Sequence, residues 1–250
     1  MTALSVNVNK VAWLRNGRGG NDPDVLWAAR TAVEAGAHGI TVHPRPDQRH
    51  IQPRDVHQIA KYLSTRESIE YNIEGNPFEA PLGDYPGMLA LAKDTRPAQV
   101  TLVPDSVDQI TSNRGWAVSA YQKRLQDHIA AFKDLGCRVS LFMDSDSDEY
   151  ELVAELGADR IELYTEDYAR AHEAGEFEAT RERYRDAAQR AQSFGLGVNA
   201  GHDLSLANLS DFLEIDDVLE VSIGHALISD ALKYGLHASV QKYLGCLPNV

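Results

Sequence analysis

Short apolar segments alternate with amphipathic helical segments about eight times along this chain of 250 residues. Several of the short segments are almost entirely apolar, as expected of parallel strands that are buried on both faces. The predicted strands cover residues 5–8, 39–42, 68–73, 99–103, 138–143, 160–163, 197–200 and 219–223. A repeated βα pattern leaves two architectures, a closed barrel or an open doubly wound sheet.

We predict the closed barrel. No Gly-x-Gly-x-x-Gly sequence follows the first predicted strand, which disfavours a dinucleotide-binding open sheet. Barrels of about this length are common as single domains, and no linker or low-complexity tract interrupts the chain. The prediction is therefore an α/β protein, with one (β/α)₈ TIM-barrel domain over residues 1–250 and extra helices. We expect an extra helix within residues 19–25, within residues 113–121 or near the C-terminus.

Glycine predicts where several helices end. A glycine closes a helical pattern a few residues before a predicted strand at Gly36, Gly136, Gly157 and Gly195. Glycine adopts the left-handed conformation that terminates a helix without steric penalty. We therefore expect helices to end just before these four residues.

Charge and composition exclude several classes of protein. Asp and Glu number 37 against 24 Lys and Arg, which gives a formal net charge of -13 and argues against nucleic-acid or anionic-membrane partners. The N-terminus lacks the basic start and apolar run of a signal peptide, and no apolar stretch approaches the roughly 18 residues that span a bilayer. We therefore expect a cytoplasmic protein that binds neither membrane nor nucleic acid.

The sequence predicts no metal site. Cys137 and Cys246 stand far apart, with no Cys/His spacing typical of zinc. The acidic run that begins at Asp144 resembles a calcium loop, but its sixth position is Glu149, where such a loop needs glycine. An acidic first turn of a helix explains this run better.

Polar residues follow the predicted strands. In a TIM barrel, catalytic side chains lie just after the strands, at one rim. Polar or ionisable residues stand there after seven of the eight predicted strands, and the fourth strand meets a polar loop that holds Thr111. The most reactive of the residues at these positions are Asn7, Asn9, Lys10, His43, Arg45, His50, Glu74, Asp144, Glu162, His202, Asp203 and His225. Because ionisable groups are costly to bury unless they are paired or used, we predict a functional site at this rim.

The histidines allow two interpretations. A single His after a strand is more often a hydrogen-bonded structural residue, and Glu74 could instead stabilise the start of a helix. His43, His202 and His225 on one predicted rim, together with Glu74, favour acid–base chemistry. Imidazole exchanges protons near neutral pH, and a carboxyl group does so when its site raises its pKa.

Four arginines and two glycines suggest anion binding. Arg15, Arg18, Arg45 and Arg49 lie near the first two predicted rim loops of an acidic chain. They are either solvated surface charges or ligands for phosphate, whose geometry suits the guanidinium group. The glycines after strands seven and eight, Gly201 and Gly224, are either simple turns or places where backbone N–H groups approach a phosphate.

At these residues the sequence resembles the pyridoxine 5′-phosphate synthase family of vitamin B6 biosynthesis, over nearly the whole chain. The resemblance is most specific at residues 39–51 (GITVHPRPDQRHI). It extends through residues 6–7 (VN), 14–19 (LRNGRG), 72–74 (NIE), 102–104 (LVP), 139–142 (VSLF), 198–202 (VNAGH) and 223–225 (IGH).

The resemblance implies a reaction and a set of roles. The family condenses 3-amino-2-oxopropyl phosphate with 1-deoxy-D-xylulose 5-phosphate, releases inorganic phosphate and water, uses no metal or organic cofactor, and forms homo-octamers. The residues that match its acid–base groups are His43, Glu74 and His202, with Glu162 as a further carboxylate. Those that match its substrate contacts are Asn7, Arg18, Arg45, His50, Thr111, Gly224 and His225.

Two places depart from the family pattern. Asn9 and Lys10 stand where the family usually has Asp-His, and Asp203 stands where it usually has Gly. We keep all three among the expected substrate-binding residues. An ammonium group in a barrel mouth is unfavourable without a partner, so Lys10 should pair with a substrate phosphate or with Glu162 or Asp144. The alternative is that Lys10 turns outward into solvent.

Two other functions fit the same pattern. One is a phosphosugar isomerase or epimerase barrel, which needs fewer acid–base groups and only one phosphate site. The other is a catalytically inactive barrel that binds a small ligand, for which the loss of acid–base residues is expected. His43, Glu74 and His202 are all present, which favours the synthase.

Overall fold

Residues 1–248, the part of the chain that the computed structural model describes, contain eight parallel strands that close into a barrel in sequence order. The strands are β1 (Ala3–Asn7), β2 (Gly39–Val42), β3 (Glu70–Gly75), β4 (Gln99–Leu102), β5 (Arg138–Met143), β6 (Arg160–Tyr164), β7 (Gly197–Gly201) and β8 (Val218–Ile223). Pairing of β1 with both β2 and β8 closes the ring. The predicted TIM-barrel fold is thus confirmed.

Eleven helices are present in the same residues and surround the barrel. They are α1 (Asn9–Asn16), α2 (Val25–Glu34), α3 (Pro53–Leu63), α4 (Met88–Thr95), α5 (Val118–Asp134), α6 (Tyr150–Glu155), α7 (Glu166–Glu173), α8 (Glu178–Ser193), α9 (Leu209–Phe212), α10 (His225–Tyr234) and α11 (Leu236–Leu244). Proline at the first turn of α3, with a capping box between Gln52 and Asp55, sets the start of that helix.

The strand predictions hold to within two residues. β2 and β5 have the predicted bounds, whereas β3 runs from Glu70 to Gly75 instead of covering residues 68–73. The strand extends because Glu74 and Gly75 still pair with Thr101 and Leu102 of β4. Glu74 therefore lies within a strand, on the interior side of the barrel.

The extra helices are only partly where the sequence predicts them. The C-terminal one is confirmed as α11, and residues 113–121 contain only the start of α5. Of the three alternatives, residues 19–25 hold no extra helix, because this segment forms turns before α2 begins at Val25. Instead α1 directly follows β1. Its buried residues are Val11, Ala12 and Arg15, too short an apolar stripe to be recognised as a helix by periodicity.

Glycine ends four helices as predicted. Gly36, Gly136, Gly157 and Gly195 have φ values of 106°, 82°, 89° and 81°. Each lies in the region that residues with a side chain rarely adopt.

The apolar core lies between the strands and the helices, while the middle of the barrel is polar. Residues such as Val6 and Ile40 point outward into the core. Inside, the Ser5 and Thr41 hydroxyls lie 2.7 Å apart. Asn72 donates to Thr41 at 3.3 Å, and continues the network across neighbouring strands. TIM-barrel interiors are usually filled by branched apolar residues, so this polar filling prepares a site at the rim above it.

A buried ion pair joins α1 to the start of α3. The Arg15 guanidinium donates to both oxygens of Asp55, at 2.6 and 2.9 Å, and each side chain is only 3% exposed. Arg15 also donates to the carbonyl of His50 at 3.2 Å. Arg15 is therefore engaged inside the protein, and its interpretation as an anion ligand is wrong.

We expect Asp55→Ala to be strongly destabilising, because it leaves the buried Arg15 charge without its partner. Breaking such a pair typically costs about 3–5 kcal/mol. Urea unfolding at fixed protein concentration measures this loss. Asp127→Ala is the control, since it breaks the exposed pair with Lys123 and should cost no more than about 1 kcal/mol. Similar losses in both variants would contradict the prediction.

Candidate active site

A cavity of about 340 Å³ opens at the C-terminal ends of the strands. All but one of the residues expected to be catalytic or to bind substrate line it: Asn7, Asn9, Lys10, His43, Arg45, His50, Glu74, Thr111, Glu162, His202, Asp203, Gly224 and His225. The exception is Arg18, which is exposed in the turn after α1. Its position beyond the end of a helix, rather than on a strand end, explains why it does not face the cavity in this structure.

Sequence reasoning missed several lining residues. Trp13 comes from the unpredicted helix α1, and Ile110 comes from the loop after β4. Phe142 and Ser222 also line the cavity, each from the next-to-last position of its strand, β5 and β8. Strand alternation was the signal that could have found these two, because residues two apart face the same side.

His43 and Glu74 meet at the base of the cavity. His43 Nδ1 lies 3.8 Å from Glu74 Oε2, beyond hydrogen-bond distance. The Glu74 carboxyl instead accepts from the Asn7 amide at 3.3 Å and faces the Ser222 hydroxyl at 3.4 Å. Side chains from β1 and β8 thus orient the carboxyl, and both His43 and Glu74 face the cavity.

The surroundings of this pair favour its neutral form. Burial, with a smaller contribution from Asp105, raises the pKa of Glu74 to about 8. Burial, with a smaller contribution from Arg45, lowers the pKa of His43 well below its usual range. At neutral pH the two groups are therefore a protonated acid and an unprotonated base, not an ion pair. One can donate a proton where the other accepts one.

Glu162 adds a second buried carboxyl. Burial, and then the neighbouring Glu74, raises its pKa well above the usual range. Among the described residues, its Oε2 has no hydrogen-bond partner. Gly201 makes room for this carboxyl, because a Cβ at residue 201 would overlap Glu162 Oε1. The glycine is thus required by packing inside the barrel.

Asn9 and Lys10 stand at the start of α1. Asn9 Oδ1 accepts the backbone N–H of His43 at 2.9 Å, so its side chain ties the end of β1 to the end of β2. Lys10 lines the cavity, with Nζ 4.6 Å from the centre of the Trp13 ring. Burial, with a smaller contribution from Arg45, lowers the pKa of Lys10. The ion pairs found in residues 1–248 do not include Lys10, so it pairs with neither Glu162 nor Asp144 there, and the alternative partner, a substrate phosphate, stays a prediction.

His50 presents a hydrogen-bond donor to the cavity. The backbone N–H of Ile51 donates to His50 Nδ1 at 2.9 Å. Burial, followed by the charge of Arg45, lowers the pKa of His50 to about 3, so the ring is neutral. Because Nδ1 accepts, the proton of the neutral ring is on Nε2.

Arg45 and Arg49 hold the loop that follows β4. Arg45 is buried, pairs with Asp105 and donates to the carbonyls of Ser106 and Gln109 at 3.2 and 3.3 Å. Arg49 donates to the same Gln109 carbonyl at 2.7 Å. Both guanidinium groups thus fix backbone carbonyls over the cavity, and only Arg45 also lines it.

Residues 1–248 bring together no group of three or more His, Cys, Asp or Glu that could hold a metal ion. No helix in these residues is both long and apolar enough to cross a membrane.

Comparison with known proteins gives one consistent family. The family described as "Pyridoxal phosphate biosynthesis protein PdxJ" matches residues 4–249. Pyridoxine 5′-phosphate synthase of Xanthomonas axonopodis pv. citri (strain 306) is 59% identical over 98% of this chain and 96% of its own length. The enzyme of the same name from Xylella fastidiosa (strain M23) is 53% identical over 100% of this chain and 96% of its own.

Solved structures show the same fold at low identity. The tryptophan synthase alpha chain of Legionella pneumophila matches with a TM-score of 0.67 at 13% identity, over 100% of this chain and 92% of that one. Thiamine phosphate pyrophosphorylase of Pyrococcus furiosus matches with a TM-score of 0.61 at 12% identity, over 98% and 94%. These similarities concern the barrel alone.

We expect Glu74 to make stability fall as pH rises. Its pKa is raised from 4.5 to about 8 on folding, so the stabilisation is complete below pH 4.5 and is lost as the pH rises through 8. Glu74→Gln removes this ionisation, so its free energy of unfolding should decline less than that of the unmodified protein over this range. Urea unfolding at several pH values gives the difference in free energy of unfolding between the two proteins. The contributions of groups that do not interact with Glu74 cancel in this difference. Parallel curves would contradict the prediction.

Proposed function

The chain belongs to the PdxJ family of pyridoxal phosphate biosynthesis proteins, and from this premise we propose that it condenses 3-amino-2-oxopropyl phosphate with 1-deoxy-D-xylulose 5-phosphate. The products are pyridoxine 5′-phosphate, inorganic phosphate and water. Membership of this family makes the chain an enzyme of vitamin B6 biosynthesis; the two substrates are the proposal. The observation that carries it is the convergence of His43, Glu74, Glu162 and His202 on one cavity.

The reaction needs several acid–base groups. Joining an amino ketone to a keto sugar requires carbinolamine formation, dehydration, enolisation and a carbon–carbon bond, and each step moves protons. Protonated Glu74 is suited to donate to a carbonyl or hydroxyl oxygen, and neutral His43 to accept from carbon or nitrogen. Side chains supply every proton transfer in this scheme, so it includes no metal or organic cofactor.

Two phosphorylated substrates require two anion sites. Lys10, Arg45 and the Nε2–H of His50 lie on one side of the cavity and present positive charge and a donor. On another side, α10 begins at His225 directly after Gly224, so its N-terminus favours a phosphate. A Cβ on Gly224 would lie 3.2 Å from Asn7 Cβ, which shows how closely the backbone approaches the end of β1. We propose one phosphate on each side, with Thr111 and the turn at Asp203 contributing to the walls.

The direct test is product formation. When both substrates are present, we expect the protein to form pyridoxine 5′-phosphate and to release phosphate. The absorbance of pyridoxine 5′-phosphate measures product formation. His43→Gln, Glu74→Gln and His202→Gln should each lower kcat by about 100- to 10,000-fold, because each removes an acid–base group. His57→Gln is the control, since His57 is exposed and pairs with Asp94 on α4. Failure of the unmodified protein to form product would refute the proposed reaction.

We expect Lys10 to distinguish the two substrates. By resemblance, residues 9 and 10 stand where the family contacts deoxyxylulose phosphate. Lys10→Ala should therefore raise KM for deoxyxylulose phosphate about 10-fold or more, the loss typical of a charged hydrogen bond, and change KM for the amino ketone phosphate far less. Lys10→Arg keeps the charge and should retain most of the affinity. Steady-state kinetics with each substrate varied in turn measures both values. Equal effects on the two substrates, or none, would show that Lys10 is not a specific ligand.

The assembly and cellular location are part of the same proposal. By resemblance to the family we propose a cytoplasmic homo-octamer. Light scattering of the purified protein measures its mass, and a mass below that of eight chains would refute the octamer.

A further inference from the structure

His202 and Asp203 form a side-chain pair directly after β7. His202 Nδ1 lies 2.7 Å from Asp203 Oδ2. Consecutive side chains on a strand point to opposite faces, but these two residues have φ values of 74° and 56°, in the left-handed region. The left-handed turn lets the two neighbouring side chains meet, in a chain whose family usually has glycine at residue 203.

Neighbouring elements hold this turn in place. The Thr165 hydroxyl, at the start of α7, donates to the Gly201 carbonyl at 3.0 Å and also reaches the His202 carbonyl. The Asn208 amide donates to the Asp203 carbonyl at 3.2 Å. The turn is therefore fixed by backbone contacts that do not depend on the Asp203 carboxylate.

The pair determines which nitrogen of His202 carries the proton. An ionised carboxylate only accepts hydrogen bonds, so Nδ1 is the donor to Asp203. In the neutral ring Nε2 then carries the lone pair, and it accepts from the Thr111 hydroxyl, 2.8 Å away at the cavity. A substrate hydroxyl or ammonium in the place of Thr111 meets a proton acceptor.

We propose that Asp203 is a positioning residue that fixes His202 as a proton acceptor at Nε2. The inference rests on the proposed function, in which His202 takes part in acid–base steps. It assigns Asp203 to the imidazole rather than to a substrate, because the carboxylate is already engaged by Nδ1.

The charges around the pair keep the carboxylate ionised. The hydrogen bond from His202 lowers the pKa of Asp203, and the charges of His225 and Arg170 act in the same direction. The other facing groups are the Tyr164 ring, edge-on to His202 at 5.1 Å, and the Glu166 carboxylate that accepts from the Tyr164 hydroxyl. The negative charge of Asp203 near a proposed phosphate site is thus directed toward the ring.

Two substitutions at residue 203 separate geometry from charge. Asp203→Ala removes the acceptor at Nδ1, whereas Asp203→Asn retains a neutral oxygen that can still accept from it. Asp211→Ala is the control, because Asp211 also pairs with a histidine, His172, through Nε2 at 2.8 Å, away from the cavity. Circular dichroism establishes whether each variant is folded. If Asp203→Ala does not fold, Asp203→Asn still tests the proposal.

The readouts are the tautomer of His202 and the split between kcat and KM. The protein is labelled with ¹⁵N-histidine, and the His202 signals are assigned by comparison with His202→Gln. The nitrogen chemical shifts of the neutral ring should show the proton on Nδ1 in the unmodified protein and in Asp203→Asn. Asp203→Ala should lose that signature. We expect kcat to fall about 10-fold in Asp203→Ala, a fraction of the full acid–base contribution of about 100- to 10,000-fold, with both KM values nearly unchanged. The kcat of Asp203→Asn should lie between those of Asp203→Ala and the unmodified protein. The kcat of Asp211→Ala should match that of the unmodified protein.

Two results would overturn the inference. A His202 tautomer unchanged in Asp203→Ala would show that the carboxylate does not fix the ring. A rise in KM with kcat preserved would make Asp203 a substrate ligand instead. An unmodified protein that forms no pyridoxine 5′-phosphate would refute the proposed function, and the nitrogen shifts would still decide the role of Asp203.

Discussion

Closure of the barrel is the constraint on which the site depends. A closed ring of eight strands sends every second residue into a narrow interior, where little water remains. In this chain those residues are largely polar, from Ser5 and Thr41 in the middle to His43 and Glu74 at the base of the cavity. Burial favours neutral forms of ionisable groups, and it is the largest cause of the shifted pKa values of Glu74, Glu162 and His43. The interior thus determines the acid–base properties of the cavity before any substrate enters.

Positive charge close to this interior has a second effect. Arg45 lies beside the cavity and lowers the pKa of His43, His50 and Lys10. Its own charge is balanced by Asp105. The same guanidinium group therefore holds the loop after β4 and favours neutral histidines below it. A residue that the sequence suggests as an anion ligand thus also has a structural and an electrostatic part in the site.

The sequence predicts the fold better than the detailed contacts of the site. The eight strands are found because buried parallel strands produce continuous apolar runs, and the same reasoning places Asn7, Glu74 and Glu162 at the rim. Helix α1 was missed because its inner face combines two apolar residues with Arg15, whose partner Asp55 is 40 positions away in sequence. The loop contacts of Arg49 and the packing of Gly201 against Glu162 are likewise long-range relations. Patterns of period two or 3.6 carry no information about them.

The two histidines His43 and His202 require different means of control because they lie at different depths. The His43 side chain is 7% exposed and its neighbour Glu74 is 11% exposed, so the carboxyl takes up a proton and cannot act as a fixed anionic acceptor. Burial, assisted by the charge of Arg45, then keeps His43 neutral. His202 is 25% exposed at the rim, where Asp203, at 37%, remains ionised. An acidic side chain can therefore orient an imidazole at the rim by charge, whereas the same residue type deeper in the barrel becomes a proton donor. Asp203, which replaces the usual glycine, lies at a depth where a carboxylate stays charged. This is the physical reason that it can orient the His202 ring.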